Sequence, residues 1–126
     1  MKLTKFKKKI LILGSAGMLG YQLYGFLKSK NYKVKGICRK NKIISNKFFK
    51  NNNFLNLDLE KFDLLENTIS TYRPDFIINC AGIIKQKTYR YDANRIYLIN
   101  SCLPNYLSIL SKKYKFKLIH ISTDCV

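Results

Sequence analysis

Residues 10–13, Ile-Leu-Ile-Leu, are apolar at every position. A strand with one wet face alternates polar and apolar residues, whereas a strand buried on both faces does not. Other short strand-like runs occupy 34–38, 54–57, 76–80 and 118–122. Between them lie stretches with helical spacing. Leu19, Leu23, Phe26 and Leu27 share one face of residues 18–30. Phe62, Leu65, Ile69 and Tyr72 do so over 60–72, and Ile96, Ile99, Leu103, Leu107 and Leu110 over about 92–113. Residues 41–53 are polar and irregular and predict a loop with a short helical turn. Arg73-Pro74-Asp75 ends the second helix. Strands alternating with amphipathic helices give a parallel sheet covered on both sides. Right-handed crossovers then leave few topologies. The expectation is an α/β, Rossmann-type doubly wound parallel sheet in the order 3-2-1-4-5.

The turn after the first strand is the most informative. "ILILGSAGMLG" spans residues 10–20, and Gly14, Gly17 and Gly20 form G-x-x-G-x-x-G between strand and helix. A glycine fingerprint means little alone, but strand before and helix after is the context that confirms it. Gly14 turns the chain, Gly17 lets backbone approach a pyrophosphate, and Gly20 lets the helix pack on the sheet. The helix N-terminus adds free N–H groups and a positive dipole end. The basic start "MKLTKFKKK" also suits a secretory signal. That reading needs a continuous apolar core and a small-residue cleavage site. Gly14 and Ser15 interrupt the core and no such site follows, so the nucleotide turn is preferred and the start is a solvated tail.

The second strand ends in "GICRK". Folds that prefer NAD usually place an acidic residue near here, on the ribose 2′-hydroxyl. Arg39 and Lys40 stand there instead and would suit a 2′-phosphate. The cofactor expected is therefore NADP(H) in preference to NAD(H). Lysine is frequent everywhere in this chain, but arginine occurs only four times, which gives Arg39 more weight.

With 126 residues, the chain has room for one domain with a core and not for two. No apolar run approaches bilayer length. The net charge of +17 invites a nucleic-acid reading. Yet Lys, Asn and Ile supply 47 of the residues, a bias that A/T-rich codons produce, and the lysines are scattered. No specific nucleic-acid or membrane partner is expected, only weak attraction of polyanions at low salt. Cys38, Cys80, Cys102 and Cys125 contain no C-x-x-C pair, and there is a single histidine, His120, so no metal site is expected. An even count allows disulfides. Three of the four lie in or at the ends of strand-like runs, which favours small buried hydrophobes in a reducing cytoplasm.

Four motifs in order carry a family resemblance: "GSAGMLG" at 14–20, "RPDFIINCAGIIKQ" at 73–86, "INSCLP" at 99–104 and "LIHISTDCV" at 118–126. Together they resemble the extended short-chain dehydrogenase/reductases, and within them the dTDP-4-dehydrorhamnose reductase group, which acts on nucleotide-linked sugars in polysaccharide biosynthesis. The resemblance implies that Gly14, Gly17, Met18 and Leu19, with Ser15 and Ala16 between them, line the pyrophosphate. It sets Asp58 and Leu59 against the adenine. Cys80, Ala81 and Gly82 would border the ribose, with Ser122 also at the cofactor. Thr123 matches the hydroxyl that hydrogen-bonds the substrate carbonyl. Asn100 would lie on the helix supporting the catalytic centre. Pro104 has no N–H to give the carbonyl of Asn100, which predicts a kink near here. The plainer alternative is a new helix beginning at Pro104, with Asn100 an ordinary surface residue.

The family's chemistry uses a Tyr-x-x-x-Lys pair after the fifth strand, the tyrosine giving a proton to the carbonyl oxygen as hydride arrives. The spelling occurs only at Tyr24 and Lys28, on the first helix, and is read as coincidence. The expectation is thus a single incomplete NADP(H)-binding domain over 1–126, without the substrate-binding part, from a cytoplasmic reductase of a nucleotide-linked keto-sugar. It would hold cofactor without turnover. A non-catalytic dinucleotide-binding module and an epimerase or dehydratase of the same superfamily are the alternatives.

Overall fold

The computed structural model describes residues 7–39, 53–83 and 91–122. The loop expected over 41–53 lies outside them except for Asn53. The chain forms β1 (Lys9–Leu13), α1 (Met18–Ser29), β2 (Lys33–Cys38), β3 (Phe54–Asn56), α2 (Phe62–Tyr72) and β4 (Phe76–Asn79). There follow α3 (Ala93–Tyr97), a π-helical turn (Leu98–Cys102), α4 (Leu103–Tyr114) and β5 (Lys117–His120). The five strands make one sheet in the order β3-β2-β1-β4-β5, as the sequence predicts. All four pairings are parallel; β1 pairs with β2 from Lys9↔Lys33 to Leu13↔Ile37, and with β4 from Ile10↔Phe76 to Leu13↔Asn79. The fifth strand begins one residue earlier than expected and ends at His120, with Ile121 donating one more ladder bond to the carbonyl of Asn79.

The pattern of β1 explains the layers. Leu11 and Leu13 enter a core with Ile37 and Ile77 from the sheet, Leu65 and Ile69 from α2, and Leu103, Leu107 and Leu110 from α4. Ile10 and Ile12 point the other way, into a second core with Val34, Ile78, Phe54 and Tyr24 of α1. A central strand buried on both faces must be apolar where it is buried, and β1 is from Ile10 to Leu13, with Lys9 only at its half-buried start.

Two helical readings change. On α1 Leu23 and Leu27 pack half-buried against the second core as expected, but the buried residues are Gly20 and Tyr24, whereas Leu19 and Phe26 are exposed. The apolar spacing lost to a closer approach: Gly20 lets the helix sit tight on the turn, and the ring of Tyr24 reaches over Phe54 at 4.4 Å. Lys28 Nζ lies 3.3 Å from the hydroxyl of Tyr24, so this pair is a helix-side contact with its ring in the core. The long helix expected over about 92–113 is helical backbone without a break from Ala93 to Tyr114, but it is not α-helical throughout. Its middle is a π-turn in which the N–H of Leu103 reaches back to the carbonyl of Leu98. Pro104 follows directly, so its missing N–H falls where the π-turn has already displaced the i to i−4 ladder. The widened turn takes up the register that proline disrupts, as π-bulges do. The expected end at Arg73 holds, with Arg73 closing α2 in the left-handed region at φ 55°.

The three described cysteines are free thiols. Burial pushes the Cys38 and Cys80 thiols up, and the neighbouring Ser15 hydroxyl partly offsets this at Cys38. No helix among the described residues is long and apolar enough to cross a membrane.

Candidate functional site

In a fully parallel sheet every strand delivers its following residue to the same edge. Gly14 follows β1, Arg39 follows β2, Asp58 lies two residues past β3, Cys80 follows β4 and Ser122 lies two residues past β5. The carboxyl edge of such a sheet is where ligands bind.

The glycine turn is built by contact. Gly14 has φ +77°, and a Cβ there would lie 2.9 Å from the Ala81 nitrogen. A Cβ on Gly20 would strike the carbonyl oxygen of Gly14. The turn is therefore pressed against both the β4 loop and its own helix. The N–H groups of Gly14 and Ser15 both donate to the carbonyl of Ile37, at 2.9 and 3.1 Å, and that of Gly17 to the carbonyl of Gly14 at 3.1 Å. Helix geometry leaves the N–H groups of Met18, Leu19 and Gly20 without an intrahelical acceptor. No side chain caps them, and no acidic residue stands in the first turn. Ala16, Gly17, Met18 and Leu19 are exposed along this rim. The helix thus offers its positive end to a group from outside the chain. Ser15 does not: its side chain is fully buried against Gly36 and its N–H is committed.

At the β3 end, Asp58 Oδ1 accepts from the Glu60 N–H at 3.1 Å and from Arg95 Nη1 at 3.3 Å. Asp58 Oδ2 lies 3.5 Å from Arg39 Nη1. Burial would raise the Asp58 carboxyl, but the Glu60 N–H and the Arg95 and Arg39 charges outweigh it and hold the group below its ordinary value. The structure brings Arg39 and Asp58 together, a pairing that the separate roles read for them in the sequence did not include. Leu59 departs from expectation, since its side chain belongs to the main core.

At the β4 end, Cys80 is half-buried, its N–H held by the carbonyl of Leu13 at 2.9 Å. Gly82 is exposed. Asn100, in the π-turn, donates from Nδ2 to the carbonyl of Ile83 at 2.9 Å and accepts the Ile83 N–H on Oδ1 at 2.8 Å. It clamps the backbone of the β4 loop and is no simple surface residue; its contacts make it a positioning residue. Lys40 and Thr123 lie outside the described residues. Ser122 is exposed just beyond β5.

Three contributors were not read from the sequence. Asn79 is fully buried, its Oδ1 accepting the Ala81 N–H at 3.1 Å and its Nδ2 lying 3.2 Å from His120 Nδ1. It shapes the loop against which Gly14 packs. A polar residue closing the run "FIIN" was its only signal. Arg95 and Glu60 join at 3.0 Å across the β3 loop, a contact that no local pattern announces.

Residues 10–126 match the NAD dependent epimerase/dehydratase family. The spore coat polysaccharide biosynthesis protein SpsK of Bacillus subtilis strain 168 is 26% identical over 118 residues, covering 94% of this chain and 36% of that protein. A hypothetical dTDP-4-dehydrorhamnose reductase from Sulfolobus tokodaii is 28% identical, with a TM-score of 0.72 over 92% of this chain and 39% of that one. The dTDP-4-dehydrorhamnose reductase of Bacillus anthracis, solved with NADP, is similar in fold at 24% identity and a TM-score of 0.72, covering 97% and 38%. The chain therefore spans less than two-fifths of the length of these relatives. With its sheet order, its glycine turn and a match that runs from β1 to the last residue, the chain belongs to the NAD dependent epimerase/dehydratase family.

Proposed function

We propose that this chain is the cofactor-holding part of an NADPH-dependent reductase of a nucleotide-linked keto-sugar. The observation that carries the cofactor reading is the uncapped N-terminus of α1 behind a glycine turn that admits no Cβ at Gly14 or Gly20. The N–H groups of Met18 and Leu19, with Gly17 beside them, would take the pyrophosphate. Arg39, with Lys40, would take a 2′-phosphate, and the carboxylate and loop at Asp58 would face the adenine. Cys80, Ala81 and Gly82 would border the nicotinamide ribose, held in place by Asn79 and Asn100. Thr123 would hydrogen-bond the sugar carbonyl. The cofactor, when bound, supplies the hydride, and the chain binds and orients it. The likeness to the two reductases named above supports the substrate class.

Titration calorimetry of the 126-residue chain with NADPH and NADH tests this reading. Saturable binding with NADPH tighter is the expected result, and tighter NADH would overturn the assignment of Arg39.

The family's name favours one other reading, an epimerase or dehydratase. Such enzymes usually keep their dinucleotide bound. Release of NAD from the denatured, freshly purified chain would support that reading over ours.

A further inference from the structure

We infer that Arg95 is a specificity-determining residue for the phosphorylated cofactor: by holding the Asp58 carboxylate, it leaves Arg39 available to a 2′-phosphate. The inference rests on the cofactor reading above.

Four charged side chains meet at the β3 end of the sheet. Arg95 Nη1 lies 3.0 Å from Glu60 Oε2 and 3.3 Å from Asp58 Oδ1. Arg39 Nη1 lies 3.5 Å from Asp58 Oδ2, the longest contact of the set. The two arginines differ in how firmly they are held. The Arg95 side chain is 18% exposed, that of Arg39 48%. Arg95 sits in α3, where its N–H caps onto Asp92 Oδ1 at 2.8 Å, and its guanidinium lies 5.6 Å from the ring centroid of Tyr91. Arg95 is thus the fixed cation and Arg39 the exchangeable one. An exposed pair at long distance contributes little, so Arg39 can leave Asp58 at small cost. A phosphate offers it a doubly charged, bidentate partner instead.

The charges within this cluster also balance. Among the described residues that meet here, two carboxylates face two guanidiniums, so the four side chains together carry no net charge. Without Arg95, Asp58 and Glu60 would leave one uncompensated negative charge. Asp58 would draw Arg39 closer, and the pair of carboxylates would repel a 2′-phosphate. NADH has no such phosphate and would be nearly indifferent. Arg95 therefore acts through Asp58 and Arg39 and needs no contact with the cofactor.

The test is the ratio of NADPH to NADH affinity in the 126-residue chain, by calorimetry at one fixed salt concentration, for wild type, Arg95→Leu, Arg95→Lys, Asp58→Asn and the Arg95→Leu/Asp58→Asn double variant. Arg95→Leu should weaken NADPH by about tenfold and NADH by less than about threefold. Arg95→Lys should restore most of the preference, and so should the double variant, because removing the carboxylate removes the need to restrain it. Asp58→Asn alone should raise the ratio above wild type. Equal losses for both cofactors in Arg95→Leu would mean that Arg95 only props the loop, and would overturn the inference. So would an unchanged ratio. If Arg95→Leu gives no cooperative melt, Asp58→Asn decides: a ratio that fails to rise overturns the inference. Wild type that binds NADPH with these ratios unmoved leaves the cofactor reading standing. Folded wild type that binds neither dinucleotide overturns that reading, and this inference with it.

Discussion

Gly14 and Gly20 touch each other across the turn, and each is required for a different reason. Gly14 needs its left-handed φ of +77° and its closeness to Ala81, whereas Gly20 needs only the space occupied by the carbonyl of Gly14. Gly25, in the same helix, has nothing within 4 Å of a built Cβ. These three positions predict opposite responses to one methyl group. Gly14→Ala should destabilise the chain by roughly 2–4 kcal/mol, through strain and collision together. Gly25→Ala should stabilise it by about 0.5–1 kcal/mol, since a helix interior favours alanine. Urea unfolding of the two variants measures both. The spacing of the glycines was legible in the sequence because it is local. Which of them is crowded was not, because the crowding comes from Ala81 and the Gly14 carbonyl. Ser15 shows the same limit: it reads as part of the phosphate turn, yet its side chain faces Gly36.

Helices α2 and α4 are joined through one carboxylate. Glu66 of α2 accepts from Lys113 Nζ at 2.7 Å, from the Tyr114 hydroxyl at 2.8 Å and from the Tyr106 hydroxyl at 2.9 Å. These three hydrogen bonds, Lys113 first, hold the Glu66 carboxyl down to about 2. Tyr106 also stacks on Phe62 at 4.7 Å, and burial with the Glu66 hydrogen bond pushes its hydroxyl up to about 12. A carboxyl whose folded value lies below its unfolded value of 4.5 stabilises the fold above that pH and loses its contribution as pH falls toward 2. The stability difference between wild type and Glu66→Gln should therefore shrink steadily from pH 5 to pH 2 in urea titrations. A difference that stays constant over that range would contradict the role given to Glu66. The π-turn between α3 and α4 makes a second prediction. Asn100→Ala removes both hydrogen bonds to Ile83 and should cost about 1–3 kcal/mol, with weaker NADPH binding because the β4 loop loosens. Pro104 announced a disturbance here, but not that the turn would widen to aim Asn100 at Ile83. That outcome depends on a loop seventeen residues upstream.

Across the whole molecule, strand order and layering were legible because they follow from burial on two faces, which the apolar runs record directly. What escaped was charge pairing across the sheet edge: Arg95 reaches Asp58 over 37 residues of chain, beyond any local pattern. Ile119 and Ile121, at the β5 edge, are 45% and 39% exposed. Apolar surface on an edge strand invites pairing between chains. Lysine at both positions should lower concentration-dependent self-association in light scattering without lowering the melting temperature. The central claim is that the glycine turn holds a dinucleotide. Hydrogen–deuterium exchange of the chain with and without NADPH tests it most directly. The account predicts slowed exchange at the amides of residues 16–20, with a second protected region around Arg39 and Asp58. Slowed exchange confined to other segments, or none at saturating NADPH, would contradict it.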